Sequence, residues 1–160
     1  MKLSLYFLII ILCFASCKKY EEGPCISLRS KDNRINATWD VDKIIINGID
    51  SINYLNIIVS VFDIRSKDNK CIIYFYDKIN NNYLPMKGNW QWYNEKKQII
   101  MQFYNQDDLN YHDNIYYDVS VGPIKSYNTV TFSIIKLKKN DCILETNFNN
   151  KTYKFIMANY

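Results

Sequence analysis

Residues 89–104 read NWQWYNEKKQIIMQFY, and this stretch indicates the fold class of the whole chain. Residues 89–93 and 98–104 are rich in aromatic and β-branched side chains, whereas residues 94–97 (NEKK) are polar. Two such runs on either side of a short polar turn are typical of a β-hairpin. The stretch therefore predicts two antiparallel strands joined by a tight turn.

The same pattern continues over most of the chain. Further runs rich in Ile, Val, Tyr, Phe and Thr, separated by Asn, Asp and Lys, occupy residues 39–46, 57–64, 71–76, 115–121, 129–138, 142–147 and 153–158. The first of these runs ends at Asn47-Gly48, which is the strongest short signal for a hairpin turn. No stretch sustains a long helical period. Eight or nine strands with short connections predict an all-β fold, either a meander sandwich or a barrel, and the strand count and short hairpins favour the closed antiparallel β-barrel.

The composition is that of one globular domain. Of the 160 residues, 48% are hydrophobic and 16% are aromatic, and this content excludes intrinsic disorder. The formal net charge is +4 and the basic residues are dispersed, so nucleic acid is not an expected partner. His112 is the only histidine, which excludes a multi-histidine metal site within the chain. We expect neither a metal nor another cofactor.

The first residues are typical of an export signal. Lys2 is followed by the apolar residues 3–12 and then by small residues before Cys17. This apolar run is shorter than the roughly 20 residues that span a membrane, which indicates a cleaved signal peptide. Phe-Ala-Ser-Cys at residues 14–17 resembles the lipobox of bacterial lipoproteins, whose cysteine is lipidated. We expect a signal peptide at residues 1–16, a lipidated Cys17 and tether at residues 17–36, and a barrel domain at residues 37–160.

Both ends of the remaining chain resemble one family. The following parts are similar to the lipocalin-like lipoproteins of Bacteroidota: CKKYEEGP at residues 17–24, ISLRSK at 26–31, Arg34, Trp39, NGID at 47–50 and FSIIKLK at 132–138. The resemblance implies an up-and-down barrel that is held at a membrane by its N-terminal lipid. It also implies a place in the cell envelope, as an outer-membrane lipoprotein on the periplasmic or the surface face.

Aromatic residues are the candidate ligand-binding residues. Trp90 and Trp92 are two positions apart on one predicted strand, so their side chains share a face, and the same holds for Tyr74 and Tyr76. Together with Trp39, these side chains are candidates to line a barrel interior that has room for one small ligand. The leading hypothesis is therefore a small apolar or aromatic ligand. The alternative is a filled barrel that docks another envelope protein or a glycan, and an empty cavity of several hundred Å³ distinguishes the first from the second.

The sequence predicts no catalytic residues. The polar residues 105–114 match no EF-hand calcium loop, and we expect a solvated connection there. His112 and Asp113 are adjacent on an extended chain, so their side chains point in opposite directions. The chain has neither a Gly-x-Ser-x-Gly nucleophile elbow nor a glycine-rich phosphate loop. We expect that the protein is not an enzyme.

Three cysteines and one serine are candidates for covalent chemistry in the mature chain. Cys71 and Cys142 lie within apolar runs, where a cysteine is usually a small buried side chain, whereas Cys25 lies in the tether. We expect three reduced thiols, of which Cys25 is the reactive one. Asp50-Ser51-Ile52 resembles the acceptor sequence for periplasmic O-glycosylation in Bacteroidota, so Ser51 is a candidate glycosylation site.

Overall fold

The structure is a computed structural model that describes residues 29–104, 122–125 and 128–160. These residues contain one short helix, α1 (Lys31–Ile35), and nine strands. The strands are β1 (Ala37–Ile46), β2 (Ile49–Asp50), β3 (Ile57–Arg65), β4 (Lys70–Asp77), β5 (Asn82–Tyr93), β6 (Gln98–Phe103), β7 (Thr129–Leu137), β8 (Asp141–Phe148) and β9 (Lys151–Ala158). The strand predicted at residues 115–121 lies outside the described residues.

The strands form a closed barrel. From β3 to β9 each strand pairs antiparallel with the next one along the chain, and the two-residue β2 pairs with β1. β1 pairs with β3 over residues 37–40 and with β9 over residues 40–46, and this second pairing closes the sheet. The eight long strands are therefore an antiparallel up-and-down barrel, and the predicted fold class is confirmed.

Along each strand the side chains point alternately into and out of the barrel, and the inward-pointing ones fill its interior. In β5, Leu84, Met86 and Trp90 are buried, whereas the alternate residues 85, 87 and 89 are exposed. Gly88 lies on the same inner face and is paired with Phe103 of β6. A Cβ atom added at Gly88 would lie 2.5 Å from the backbone oxygen of Gln102, so the close approach of β5 and β6 requires glycine at this position.

β5 begins earlier than the sequence predicts. The prediction starts this strand at residue 89, and a proline such as Pro85 is usually excluded from the middle of a sheet. The observed strand starts at Asn82, and Pro85 pairs with Tyr74 of β4. On its other side β5 pairs with β6 only from Gly88 onward. Among the described residues, Pro85 thus lies where β5 has a single neighbouring strand, and its missing N–H is tolerated there.

Helix α1 covers the end of the barrel that holds the β3–β4, β5–β6 and β7–β8 turns, which we name the base. The Ser30 hydroxyl accepts a hydrogen bond from the Asn33 backbone N–H at 3.2 Å and so caps the helix. Ile35 at the end of the helix is fully buried in the barrel core. Lys31 is also buried and donates to the backbone oxygen of Lys96 at 2.9 Å. α1 lies within the segment 17–36 that the sequence predicts as tether, but it packs as part of the barrel domain.

Candidate functional site

Trp90 and Trp92 lie on the inner face of β5 near the base. Their ring centroids are 5.3 Å apart and their planes meet at 80°, which is an edge-to-face pair. Trp90 is buried and its Nε1 donates to the backbone oxygen of Arg65 at 3.0 Å. Trp92 is half-buried and its Nε1 donates to a carboxylate oxygen of Asp32 at 2.5 Å. Both indole N–H groups are therefore bonded to the protein itself.

Asp32 joins α1 to the β5–β6 turn. Its second carboxylate oxygen is 2.6 Å from Nζ of Lys96, and the same ammonium group lies 5.5 Å from the ring centroid of Trp92. The hydrogen bond from Lys96 lowers the pKa of the Asp32 carboxyl. Desolvation opposes this shift, and the hydrogen bond from Trp92 adds to it. The ionised carboxylate thus fixes the orientation of the Trp92 ring.

Trp39 is a core residue at the base. Its side chain is fully buried, and its Nε1 donates to the backbone oxygen of Ile35 at 3.1 Å. Trp39 pairs with Phe62 on the neighbouring strand β3. Trp39 therefore joins α1 to the barrel core and offers no exposed surface to a ligand.

Tyr74 and Tyr76 lie on the outer face of β4, away from the tryptophans. The buried residues of β4 alternate with them, so both tyrosines are half-buried on the outside of the barrel. The Tyr76 hydroxyl donates to Asn81 at 2.5 Å, and its ring centroid is 5.0 Å from that of Tyr83. The structure therefore does not bring the five predicted ligand-binding residues together. It divides them between an inner tryptophan group and an outer tyrosine group.

Side chains occupy the middle of the barrel. Phe62, Phe132 and Phe155 are fully buried, with ring centroids 5.6 to 6.1 Å apart and every pair in edge-to-face contact. In the order of strands around the barrel, β3 and β7 stand four places apart, so Phe62 and Phe132 come from opposite walls. Their contact means that aromatic rings fill the space between these walls.

The opposite end of the barrel holds the β4–β5 and β8–β9 turns, and we name it the rim. Pro123 and Ile124 are buried there, and Ile124 belongs to the barrel core. Gly122 lies directly against the Tyr153 ring, so that no side chain fits at this position. Residues 122–125 therefore cover part of the rim.

A polar cavity of about 270 Å³ lies on the outer side of the base. Its lining includes the cationic side chains of Arg29, Arg34 and Lys139 and four asparagines. No residue of this cavity was predicted as a site. The sequence holds no local signal for it, because its walls come from α1, the β7–β8 turn and the last two residues of the chain.

The predicted modification sites fall in different places. Cys17 and Cys25 lie outside the described residues. Ser51 follows β2 at the rim, is half-buried, and its hydroxyl donates to the backbone oxygen of Ile49 at 3.1 Å. The side chain of Asp50 accepts a hydrogen bond from the backbone N–H of Ile52 at 3.2 Å. Glycosylation of Ser51 stays a prediction.

The two described cysteines are buried in the core, as predicted. Cys71 and Cys142 are free thiols with almost no exposed surface. Burial raises the pKa of Cys71 to about 12, and burial likewise raises the pKa of Cys142. Both therefore stay protonated near neutral pH and act as small apolar side chains.

Within residues 29–104, 122–125 and 128–160, no group of three or more His, Cys, Asp or Glu residues is placed to hold a metal ion. The same part of the chain contains no helix that is long and apolar enough to cross a membrane. The polar connection at residues 105–114, with His112 and Asp113, lies outside the described residues.

No known family model matches the chain. Among curated proteins, the chain is similar to Metacaspase-3 of Plasmodium falciparum (isolate 3D7), with 36% identity over 110 residues. The matched segment is 65% of this chain and 5% of that protein, so the chain spans only a small part of its relative.

This match contradicts the expectation that the protein is not an enzyme, because a metacaspase is a protease. The expectation depended on the opposite directions of His112 and Asp113 and on two absent motifs, the nucleophile elbow and the glycine-rich phosphate loop. Each motif marks particular enzyme families, and its absence excludes those families only.

The fold has neighbours among solved structures. A lipocalin-like protein from Bacteroides uniformis aligns with a TM-score of 0.50 and 10% identity over 79% of this chain and 99% of that one. The bovine lipocalin allergen Bos d 2 aligns with a TM-score of 0.45 and 11% identity over 79% of this chain and 73% of that one. With the closed eight-stranded sheet, the first alignment shows that this chain has a lipocalin-like barrel.

Proposed function

We propose that the protein is a lipid-anchored binding protein of the cell envelope. In this proposal the barrel is a filled scaffold that docks another envelope protein or a glycan through its ends and outer surface. The observation that supports this proposal is the contact of Phe62 with Phe132 across the barrel. A ligand in the middle of the barrel has to displace these rings.

Packing energies support a filled interior. Phe155 contacts both of the other rings, so each phenylalanine has two aromatic neighbours. Removing a buried phenyl ring typically costs about 3 to 5 kcal/mol, because the space left behind collapses only partly. A ligand that displaces one ring from the cluster has to compensate for a cost of this size before it gains affinity.

A fluorescent apolar probe tests the filled barrel. N-phenyl-1-naphthylamine fluoresces strongly when it enters an apolar cavity, and we expect no stoichiometric binding to the native protein. The variant Phe132→Ala should open a cavity of about one phenyl ring, which is too small for this probe but should bind benzene and raise the melting temperature of the variant, since a dry apolar cavity of that size accepts benzene. Phe132→Leu is the milder variant if the alanine variant does not fold. Stoichiometric probe binding by the native protein would contradict the filled-barrel proposal.

A second candidate function is the binding of a small apolar or aromatic ligand near the tryptophans. The observation that favours it is the edge-to-face pair of Trp90 and Trp92 on the inner face, in which Trp92 is half-buried. In the same titration this function predicts energy transfer from tryptophan to the bound probe. Trp92→Leu should then weaken probe binding, whereas Tyr74→Leu on the outer face should leave it unchanged.

Anchoring at Cys17 is the part of the proposal that places the protein at the outer membrane. It is supported by the short apolar run and by Ala15-Ser16-Cys17 at its end. Cells grown with an alkyne fatty acid should incorporate it into the wild-type protein and not into Cys17→Ala. The wild-type protein should also fractionate with the outer membrane. Equal labelling of the two proteins would show that Cys17 is not the attachment site.

A further inference from the structure

The polar cavity at the base is a cationic site that is separate from the phenylalanine cluster and from the tryptophan pair, on which the two functions above depend. Arg34 projects from α1, Lys139 lies in the β7–β8 turn, and Arg29 precedes the helix. No acidic side chain is among the residues that line the cavity. From this arrangement we propose that the cavity binds a tetrahedral oxyanion, the phosphate or sulfate group of a small molecule.

The charges of two of these cations are not neutralised by carboxylates of the described residues. Neither Arg34 nor Lys139 forms an ion pair with any residue that the structure describes. The carboxylates nearest to these two cations in the chain are otherwise engaged, since Asp32 pairs with Lys96 at 2.6 Å and Asp141 pairs with Lys136 at 3.5 Å. An oxyanion would add negative charge beside Arg34 and Lys139 through charge-assisted hydrogen bonds.

The Arg34 guanidinium is held in place. Its Nη1 donates to the backbone oxygen of Leu137 at 2.7 Å. Its Nε is buried and has no hydrogen-bond partner in the described part of the chain. This burial shields Nε from an ion as well as from water, so an oxyanion would reach the guanidinium through its two Nη atoms, in an end-on fork-like contact.

Amide groups add neutral donors around the cavity. The side-chain oxygen of Asn36 accepts a hydrogen bond from the backbone N–H of Ser66 at 2.8 Å, so its NH₂ group remains available to donate. Asn140 on the opposite wall accepts at its backbone oxygen a hydrogen bond from the Asn159 backbone N–H at 3.0 Å. This bond fixes the β7–β8 turn against the C-terminal residues. The residues that line the cavity thus come from two sides, α1 and the β7–β8 turn.

The size of the cavity suits a small phosphorylated or sulfated molecule. Its volume is about 270 Å³, and one water occupies about 30 Å³ in the liquid. A phosphate or sulfate group therefore leaves room for the small organic group that carries it. The cavity is on the outside of the base, so binding there does not require the phenylalanine cluster to move.

Nuclear magnetic resonance of the purified full chain tests the proposal with inorganic phosphate and sulfate as probes. The titration keeps the ionic strength constant by replacing sodium chloride. We expect saturable shifts at the backbone amides of Lys139, Asn140 and Asn159, with affinity in the millimolar range or tighter. Absence of saturable shifts at these amides would overturn the proposal.

Matched variants separate a built site from diffuse attraction by positive charge. Lys139→Gln should weaken phosphate binding about two- to fivefold, as expected for one exposed charge contact. Arg29→Gln combined with Lys139→Gln should weaken it further. Lys138→Gln removes the same charge from the adjacent exposed residue, which does not line the cavity, and should leave the affinity nearly unchanged. Equal losses in Lys138→Gln and Lys139→Gln would overturn the proposal.

Discussion

Substitution of Gly88 by alanine should destabilise the barrel by about 2 kcal/mol. The added Cβ would lie 2.5 Å from the backbone oxygen of Gln102 and 3.0 Å from Cδ1 of Phe103, whereas an ordinary contact begins at 3.4 Å. The strands β5 and β6 have to separate by roughly 0.9 Å at this pair. Such a separation stretches the neighbouring ladder hydrogen bonds beyond their usual range, and each is worth about 1 kcal/mol. Overpacking in a core costs a similar amount.

Urea unfolding followed by tryptophan fluorescence measures this loss, because Trp90 is on the same strand. The melting temperature should fall by about 4 to 8 °C, at roughly 2 to 4 °C for each kcal/mol in a protein of this size. Adding Phe103→Leu to Gly88→Ala should not restore stability, since the closest atom belongs to the backbone. A loss below about 0.5 kcal/mol, or rescue by Phe103→Leu, would refute the reasoning that the β5–β6 approach requires glycine.

The remaining predictions concern the base and the core. Asp32→Asn should cost less than about 1 kcal/mol because the pair with Lys96 is partly exposed. Since the folded pKa of Asp32 is lowered, its contribution is present above the unfolded pKa near 4 and is lost as the pH falls through the folded pKa. The urea midpoints of wild type and variant should therefore converge only below about pH 4. Cys71 and Cys142, whose pKa values are raised by burial, should react with iodoacetamide at neutral pH only after denaturation, as measured by peptide mass spectrometry. Trp39→Phe should cost about 1 to 2 kcal/mol in a thermal melt, because it leaves a buried helix carbonyl without its donor.

The barrel could be predicted because its signals are local. Asn47-Gly48 forms a tight turn with both residues at positive φ, 50° and 85°, which suits a hairpin. The hairpin at residues 89–104 is observed as β5 and β6. Such turns and the period-two runs beside them are properties of a few neighbouring residues. A meander barrel joins neighbouring strands in chain order, so local hairpins specify nearly all of its topology.

The candidate site was less predictable because it depends on which residues share a face across strands. Alternation shows that Trp90 and Trp92 share a face, and so do Tyr74 and Tyr76, but not that the two faces are opposite. The predicted burial of Cys71 could have shown which face is which. Tyr74 lies an odd number of residues after Cys71 on the same strand, so its side chain is on the opposite, outer face. The cavity at the base is lined by residues that lie far apart in the sequence, such as Arg34 and Lys139. No local sequence pattern therefore predicts it.

The pairing of β1 with β9 has a consequence for how the chain folds. It joins Asp40 to Ala158, from opposite ends of the described chain, whereas the β4–β5 and β8–β9 hairpins join near neighbours. Loop-closure entropy makes distant pairings slow to form, so we expect the hairpins to assemble before the two terminal strands meet. Until they meet, residues 43–46 of β1 lack a long partner strand and β9 has one unpaired edge. This late intermediate has two complementary open edges, so β1 of one chain can pair with β9 of another, and we expect it to be the species most prone to edge-to-edge association.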